Sequence, residues 1–402
     1  MKKILISYAS YGGGHLSAAK NIKEYIEENY SDCQVVLFDC MRYINKVIDK
    51  VCGTTYSQIT KNIPWFWGKI YYGTQEPIFE KITALSNKIL SYKLGKLLKQ
   101  VEPDIIISTH FFVSHMCSFL KQKGKITATL ATIITDYGDD PYNEWTSNHK
   151  YVDYIFVAHN EIKTKLIEKG VPENKVFATG IPVSNKFLKK YNSDEIFNEL
   201  NLDKTKKTIL FFGGGELGLG KSKTLDIFEY LIKNYPDIQI IVIAGKNETL
   251  KNNFEKILNE YGNEKNIRIL GFTNKVAELM AISNLVITKP GGLTSTEALV
   301  SNVPLIAINP IPGQEEENAE FLSRNKAAIW LKKSDNINTV FNSIINNENI
   351  LNQMKQNTKK IAKPQSTKQI CQFLIGDSSF WKIFSIWDSS FREIFLKKNC
   401  PQ

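Results

Sequence analysis

Short apolar runs rich in β-branched residues alternate with helical segments along most of this 402-residue chain. In the first half the runs are Lys3–Ser7, Val35–Phe38, Ile105–Ser108, Ala128–Thr135, Tyr154–Ala158 and the short Lys175–Ala178. In the second half they are Thr208–Phe212, Ile238–Ala244, Ile267–Leu270, Leu285–Thr288 and Pro304–Ile308. Strands that alternate with helices form parallel sheets with right-handed crossovers. We therefore predict an α/β protein with doubly wound parallel sheets.

The chain is too long for one core and most simply forms two domains. The alternation pauses near Gly180–Asn185, and the lysine-rich stretch 188–207 follows, so we place a hinge there. The predicted domains are residues 1–185 and 186–365, followed by an aromatic tail at 366–402. Bulky apolar residues recur at near-helical spacing in Phe380–Trp387 and Phe391–Phe395. This spacing is typical of a helix that packs back on the first domain or lies on a membrane.

The segment Lys289–Ala298 (KPGGLTSTEA) joins a predicted strand to a predicted helix that begins at Ser295. A glycine turn at such a place offers free N–H groups and a helix dipole to an anion. Glu297, one turn into the helix, is suited to accept hydrogen bonds from a diol such as ribose. The same sequence also fits an ordinary turn followed by a solvated helix.

Polar side chains follow the next strand, at Gln314, Glu315 and Asn318. Amides and carboxylates of this kind bind sugar hydroxyls, although such a cluster is also typical of a hydrated helix start. Open α/β folds bind ligands at neighbouring strand ends. Together the two segments favour a nucleotide-sugar site.

A literal P-loop pattern, Gly215-x-x-x-x-Gly-Lys-Ser222, lies between a predicted strand and a predicted helix. A nucleotide-hydrolysing domain also needs a strand that ends in a magnesium-binding Asp. The later strands lead into Ile243–Gly245 and Ile287–Lys289 and offer none. The turn can instead hold a pyrophosphate through its backbone.

His15 follows three glycines directly, at the carboxyl end of the first predicted strand. A histidine with a pKa near 6.5 is mostly neutral at pH 7 and can act as a general base. The alternative is a histidine that only hydrogen-bonds its own helix. The acceptor is the molecule whose hydroxyl such a base would deprotonate. Candidates for its binding side come from other strand ends of the same domain and are His110, Asp136 and Trp145.

Residues 41–100 contain ten basic and three acidic residues, a net charge of +7 out of +10 for the whole chain. Nine aromatic residues share this insert. Basic and aromatic residues together suit an anionic membrane or a nucleic acid, and an aromatic helical subdomain packed on itself is the plain alternative. We favour the membrane, with no nucleic acid, because apolar rings cluster without a basic residue among them. The predicted membrane residues are Trp65, Phe66, Trp67 and Lys69.

The sequence contains no run of eighteen apolar residues, and the apolar run at its start is too short for a signal peptide. The six cysteines show neither a CxxC pair nor zinc spacing. We expect a cytoplasmic location, reduced thiols, no metal site and no cofactor.

Several short motifs, in order, resemble those of the diacylglycerol glycosyltransferases. This family comprises the monogalactosyldiacylglycerol synthases and processive diacylglycerol glucosyltransferases, within the group that includes the peptidoglycan lipid-intermediate N-acetylglucosaminyltransferase. The similarity runs to about residue 365, and the chain departs from the family pattern at Asp139–Asn143 and in the tail. The motifs are Gly12–Ala18, Ile134–Asp136 with Trp145, Phe156–Ala158, Thr179–Pro182, Gly213–Gly218, Gly271–Phe272, Pro290–Ala298 and Gly313–Asn318.

The resemblance implies the GT-B fold, two Rossmann-like domains facing a cleft, with a lipid acceptor on the first and a UDP-sugar on the second. It implies that His15 is the base of an inverting transfer, near Gly13 and Gly14. It also assigns the P-loop match to a phosphate turn of the family. The implied UDP-sugar residues are Gly213, Gly214, Gly215 and Glu216 with Gly291, Gly292, Leu293 and Thr294 at the diphosphate, Phe272 to Val276 at the uracil, Glu297 at the ribose, and Gln314, Glu315 and Asn318 around the sugar.

We therefore expect a peripheral enzyme on the inner face of the cell membrane that moves glucose or galactose from a UDP-hexose to diacylglycerol, with anionic lipids as partners. Alternatives on the same fold are a UDP-GlcNAc-dependent transferase and a UDP-GlcNAc 2-epimerase. From another class comes a non-catalytic nucleotide-sugar-binding module that docks on a membrane or another protein.

Overall fold

The computed structural model describes residues 1–9, 13–44, 65, 90–138, 149–214 and 221–376. These residues form two compact units. The first contains the described residues up to Ser184 other than Trp65, and those from Lys363 onward, and the second contains Trp65 and Asn185–Ala362.

The first unit is built on a six-stranded parallel sheet with the order β2-β1-β3-β4-β5-β6. Its strands are β1 (Lys2–Tyr8), β2 (Cys33–Asp39), β3 (Ile105–Ser108), β4 (Thr129–Ile133), β5 (Tyr154–Phe156) and β6 (Val176–Phe177). Its helices are α1 (Gly13–Asn29), α2 (Cys40–Ile44), a helix over residues 90–101, α3 (Phe111–Gln122) and α4 (Asn160–Glu168). The order of strands reverses between β1 and β3, which is where such sheets bind ligands.

The second unit has a six-stranded parallel sheet with the order β12-β11-β10-β7-β8-β9. Its strands are β7 (Thr208–Phe212), β8 (Gln239–Ile243), β9 (Ile267–Leu270), β10 (Leu285–Thr288), β11 (Leu305–Ile308) and β12 (Ala328–Leu331). Its helices are α5 (Ser193–Glu199), α6 (Lys221–Asn234), α7 (Glu248–Tyr261), α8 (Val276–Ala281), α9 (Gly292–Val300), α10 (Gln314–Arg324), α11 (Ile337–Ile345) and α12 (Glu348–Ile361). This is the Rossmann order, and its reversal lies between β7 and β10.

A last helix, α13 (Ser366–Ile375), returns to the first unit. Ile370, Cys371 and Phe373 are buried in the core of that unit, where the Phe373 ring lies 4.5 Å from the ring of Phe177. The Ser366 hydroxyl donates to the carbonyl of Ile181 at 2.6 Å. Residues 366–376 therefore belong to the first unit, and the remainder of the predicted aromatic tail lies outside the described residues.

The stretch 188–207, which the sequence analysis described only as lysine-rich, has secondary structure and buried residues. It contains α5, which Asn192 caps by accepting a hydrogen bond from the Asp194 N–H at 3.1 Å. Ile196, Phe197 and Leu202 are buried. The many lysines concealed these three apolar residues, which attach the stretch to the second unit.

The helices that follow the glycine turns begin earlier than the sequence pattern predicted. We expected α1 from Leu16 and α9 from Ser295, but they begin at Gly13 and Gly292. Glycine has a low intrinsic helix propensity, which is why we expected both helices to begin after the glycines. In the structure the glycines themselves take part in the first helical turn. The glycines therefore lie within the helix N-termini.

Candidate active site

His15 lies in the first turn of α1, beside the reversal point of the first sheet. It is half-buried, and its Nδ1 lies 3.1 Å from the Thr135 hydroxyl, which follows β4. Burial lowers the pKa of His15, while the charge of Asp136 and a backbone hydrogen bond to Thr109 act in the opposite direction. The ring is therefore neutral at pH 7, as a general base requires.

His110, which follows β3, is only 5% exposed and its ring centroid lies 4.8 Å from that of His15. Its Nδ1 accepts a hydrogen bond from the Phe112 N–H at 3.3 Å, so it caps α3. Burial and the neighbouring His15 and His115 hold its pKa well below the usual value. His110 thus packs against the candidate base as a neutral ring.

Thr135 is the contact that sequence reasoning missed. A threonine in a strand-like run has no pattern that distinguishes it from any other β-branched residue, whereas Asp136 beside it was singled out by its charge. Asp136 is close enough to influence the pKa of His15. Gly13 and Gly14 lie in the same helical turn as His15, and Trp145 lies outside the described residues.

In the second unit, the two strands at the reversal point are followed by the predicted glycine segments. Gly213 and Gly214 follow β7, and Gly291 caps α9 after β10. The N-cap residue Gly291 has no side chain with which to cap α9, so within the described residues that position leaves the first N–H groups of the helix to a ligand. The hydroxyl of Ser295, in the same helix, is buried without a hydrogen-bond partner. This end of α9 suits the diphosphate of a nucleotide.

The two glycines after β7 are required, one by the packing around it and the other by its backbone conformation. A Cβ on Gly213 would lie 2.7 Å from the Phe254 ring, and Gly214 has a φ of 110°. Both strands that flank β7, namely β8 and β10, lead into residues other than aspartate. The Walker B feature of a P-loop enzyme is thus missing from the strands that adjoin this turn. Gly215 and Glu216 lie outside the described residues.

Glu297 and Gln314 have side chains that make no hydrogen bond within the described part of the protein. Glu297 is half-buried in α9, and burial raises its pKa to about 8. Gln314 is the first residue of α10 and is also half-buried. A polar group that the protein leaves without a partner is suited to a ligand, so these two fit the ribose and sugar assignments.

Glu315 has a structural role that the sequence did not indicate. Its Oε2 accepts a hydrogen bond from the Ile311 N–H at 2.7 Å, and its Oε1 lies 3.9 Å from the position of a Cβ on Gly291. The carboxylate thus closes its own loop and reaches the turn before α9. Asn318 is completely buried in α10. The loops after β10 and β11 therefore lie beside one another, at the ends of neighbouring strands.

Phe272 follows β9 and is 71% exposed. The ammonium group of Lys246, which follows β8, lies 5.5 Å from its ring centroid. An exposed ring beside a cation offers a base a surface for stacking. Val276 follows Phe272 closely in the sequence, at the start of α8, and is half-buried.

Leu293 and Thr294, predicted at the diphosphate, lie in the first turn of α9 with Gly292.

Of the predicted membrane residues, Trp65 is 62% exposed, and Phe66, Trp67 and Lys69 lie outside the described residues. No helix in the described ranges is both long and apolar enough to cross a membrane. Within the same ranges, no group of three His, Cys, Asp or Glu side chains is placed to hold a metal ion.

Comparison with known proteins places both units in recognised families. The monogalactosyldiacylglycerol (MGDG) synthase family matches residues 15–183, and the glycosyl transferases group 1 family matches residues 192–361. The processive diacylglycerol beta-glucosyltransferase of Bacillus licheniformis is 31% identical over 383 residues, which cover 94% of this chain and 95% of that protein.

Solved structures share the fold at low identity. Acinetobacter baumannii MurG superposes with a TM-score of 0.59 at 15% identity, covering 93% of this chain and 99% of that one. The UDP-GlcNAc 2-epimerase from Neisseria meningitidis, bound to UDP-GlcNAc, gives 0.59 at 16% identity, covering 94% and 100%. These likenesses establish the predicted GT-B fold, and the sequence relationship establishes the family. The chain belongs to the diacylglycerol glycosyltransferases.

Proposed function

We propose that this protein transfers a hexose from a UDP-hexose to the free hydroxyl of 1,2-diacylglycerol and so makes a membrane glycolipid. The observation that supports this most directly is the place of His15 at the reversal point of the first sheet, where burial lowers its pKa and its Nδ1 lies 3.1 Å from the Thr135 hydroxyl. A neutral imidazole removes the proton of an acceptor hydroxyl as that oxygen attacks C1 of the sugar. The named activity of the Bacillus relative favours glucose as the donor sugar.

The second unit supplies what a departing UDP needs. The uncapped N-terminus of α9 offers N–H groups and a dipole to the negative charge that develops on the diphosphate. Glu297 and Gln314 have unsatisfied polar groups for hydroxyls of ribose and hexose. A single displacement with one base inverts the anomeric centre, so the product carries a β-linked hexose if the donor is α-linked. We predict that the reaction needs no added metal or cofactor, so turnover in excess EDTA equals turnover without it.

A product screen tests this proposal. Purified protein is incubated with liposomes that contain diacylglycerol and, in separate reactions, UDP-glucose, UDP-galactose or UDP-GlcNAc, and the lipids are analysed by mass spectrometry. We expect diacylglycerol to gain one or more hexoses, with UDP-glucose the best donor. Release of UDP without glycolipid would favour the UDP-GlcNAc-dependent alternative with another acceptor. Absence of nucleotide release from every donor would favour the epimerase or the non-catalytic binding module.

We further propose that the protein acts on the surface of the cytoplasmic face of the cell membrane and that anionic lipids recruit it. The helix over residues 90–101 buries Leu94 and Leu98 and exposes Tyr92, Lys96 and Lys99 at helical spacing. Tyr92 is 70% exposed. Each lysine near an anionic leaflet contributes about 1 kcal/mol, so this face supports binding to the headgroup region.

Vesicle co-sedimentation tests the recruitment. Binding should rise with the fraction of anionic lipid and fall as salt is added, because exposed charges are screened. The double variant Lys96→Glu/Lys99→Glu should lose this dependence, whereas Lys256→Glu, an exposed lysine of α7, should keep it. Equal binding of all three proteins to neutral and anionic vesicles would contradict the proposal.

A further inference from the structure

Residues 134–137, which follow β4 and are called the platform below, are held by hydrogen bonds on both sides of Thr135. The Ile134 N–H donates to the Phe156 carbonyl at 2.9 Å. The Tyr137 carbonyl lies 2.9 Å from Nε2 of the buried His159, which must donate to it. Thr135 itself is 5% exposed. Its hydroxyl is thus fixed in place by neighbours that take no part in the reaction.

The imidazole of His15 meets this platform at one nitrogen. Nδ1 lies 3.1 Å from the Thr135 hydroxyl, whereas Nε2 makes no side-chain hydrogen bond within the described residues. The helical turn is also held, because the Thr109 hydroxyl donates to the His15 carbonyl at 3.0 Å. The backbone of His15 is therefore held from the end of β3, and its ring is held from the end of β4.

The two ring nitrogens of a neutral histidine cannot both be basic. One holds the proton and the other the lone pair, and the hydrogen bond made by one nitrogen decides which. If Nδ1 donates its proton to Thr135, the lone pair lies on Nε2, which makes no hydrogen bond to a side chain of the described residues. If Nε2 held the proton, the only basic nitrogen would face Thr135 and would not be available to the substrate.

We propose that Thr135 is a positioning residue that accepts the Nδ1–H of His15 and thereby keeps the lone pair on Nε2 for the acceptor hydroxyl. This inference rests on the proposed role of His15 as the base. Thr135 touches no reacting atom and acts through the ring. Asp136 acts differently, because its charge favours the protonated ring as a whole and does not select one nitrogen.

The tautomer can be measured without any substrate. The protein has five histidines, so ¹⁵N-histidine labelling with His15→Gln as an assignment control gives a resolvable set of ring nitrogen signals. At a pH above the titration of His15, we expect a protonated Nδ1 and an unprotonated Nε2. A wild-type ring protonated at Nε2 would overturn the proposal, whether or not the enzyme makes glycolipid.

Matched variants test the consequence for catalysis. Thr135→Val removes the hydroxyl and keeps the shape, and we expect the ring to shift toward the Nε2–H form. We expect kcat to fall roughly 10- to 100-fold, less than the roughly 10²- to 10⁴-fold loss expected when the base itself is removed. KM for the UDP-hexose should stay within about twofold because the donor residues are unchanged. Thr135→Ser should restore the wild-type tautomer and most of kcat.

Thr132→Val controls for the loss of a buried hydroxyl. Thr132 lies on β4 and pairs with Ser114 at 2.6 Å. It should lower stability but leave the tautomer of His15 and kcat unchanged. A Thr135→Val protein with the wild-type tautomer and kcat would show that the Thr109 backbone orients the ring alone, which would overturn the proposal.

Discussion

At the scale of the residue, burial shifts the pKa values of two titratable groups in opposite directions. His15 has a lowered pKa and stays neutral, and Glu297 has a raised pKa of about 8 and is mostly protonated at pH 7 in the free protein. Burial causes both shifts, because it disfavours the charged form of either group. The environment thus prepares one group to accept a proton and leaves the other ready to lose one when a ligand arrives.

The first prediction concerns His15. Its substitution by Ala should lower kcat roughly 10²- to 10⁴-fold and leave UDP affinity unchanged, because the group acts on the acceptor proton. In the wild type, kcat/KM should fall with decreasing pH only below the ordinary histidine pKa of about 6.5, since the folded pKa is lowered. Steady-state kinetics from pH 5 to pH 8 test this. An acidic limb centred above 6.5, or a large loss of UDP binding, would contradict the role of His15.

The second prediction concerns Glu297. Glu297→Ala should weaken UDP binding by about 1–3 kcal/mol, because the ribose hydroxyls lose a buried acceptor. Hydroxyls that donate to the carboxylate lower its pKa from about 8, so binding near pH 7 should release a proton, and affinity should rise with pH up to about 8. Calorimetry in buffers of different ionisation enthalpy measures this release. The exposed Glu320 of α10 provides a control, as Glu320→Ala should change neither quantity.

At the scale of the element, the two glycine turns of the second unit differ in what requires their glycines. Gly213 is needed because the Phe254 ring occupies the place of a side chain. Gly291 has room for a Cβ and an ordinary φ of −66°. The presence of glycine at position 291 is therefore explained better by the close approach of a ligand than by packing.

This contrast gives the third prediction. Gly213→Ala should lower the free energy of unfolding by about 1–3 kcal/mol through overpacking. Gly291→Ala should leave stability nearly unchanged and weaken UDP binding. Gly271→Ala, where the nearest atom lies 3.6 Å away, is the stability control. Denaturation and UDP titration of the three variants separate the effects, and a stable Gly213→Ala protein would refute the packing argument.

The elements were predictable from the sequence where the pattern of apolar residues was dense. The bounds of β3, β7, β9 and β10 agree with the predicted runs because each is a short apolar stretch between turn formers. Helix α5 was not predicted because it has few apolar residues, and these stand in a polar stretch. Strand β12 was not predicted either, and it lies at the edge of its sheet. Contacts such as that between Thr135 and His15 join residues 120 apart in sequence and depend on strand order, which no local pattern specifies.

At the scale of the whole molecule, the first and the last described residues belong to the same unit. Helix α13 fills the core beside β5 and β6, and the Lys2 ammonium group donates to the Ile375 carbonyl at 3.0 Å. The first unit is therefore complete only after the second has been synthesised.

The fourth prediction follows from this arrangement. Phe373→Ala should cost the first unit about 3–5 kcal/mol, because a buried aromatic ring is removed from a close-packed cluster. Lys368→Ala, on the exposed side of α13, should have little effect. Thermal unfolding with and without UDP measures both, and UDP should still stabilise the second unit of the Phe373→Ala protein. Equal stability of the two variants would contradict the role given to α13.

The most direct test of the central claim is the mass of the lipid product. Wild-type protein and His15→Ala are each incubated with diacylglycerol liposomes and UDP-glucose, and hexosyl-diacylglycerol is quantified by mass spectrometry over time. We predict glycolipid from the wild type and roughly 10²- to 10⁴-fold slower formation by the variant. If the wild type forms no hexosylated diacylglycerol, or if the variant forms it at the wild-type rate, the account is wrong.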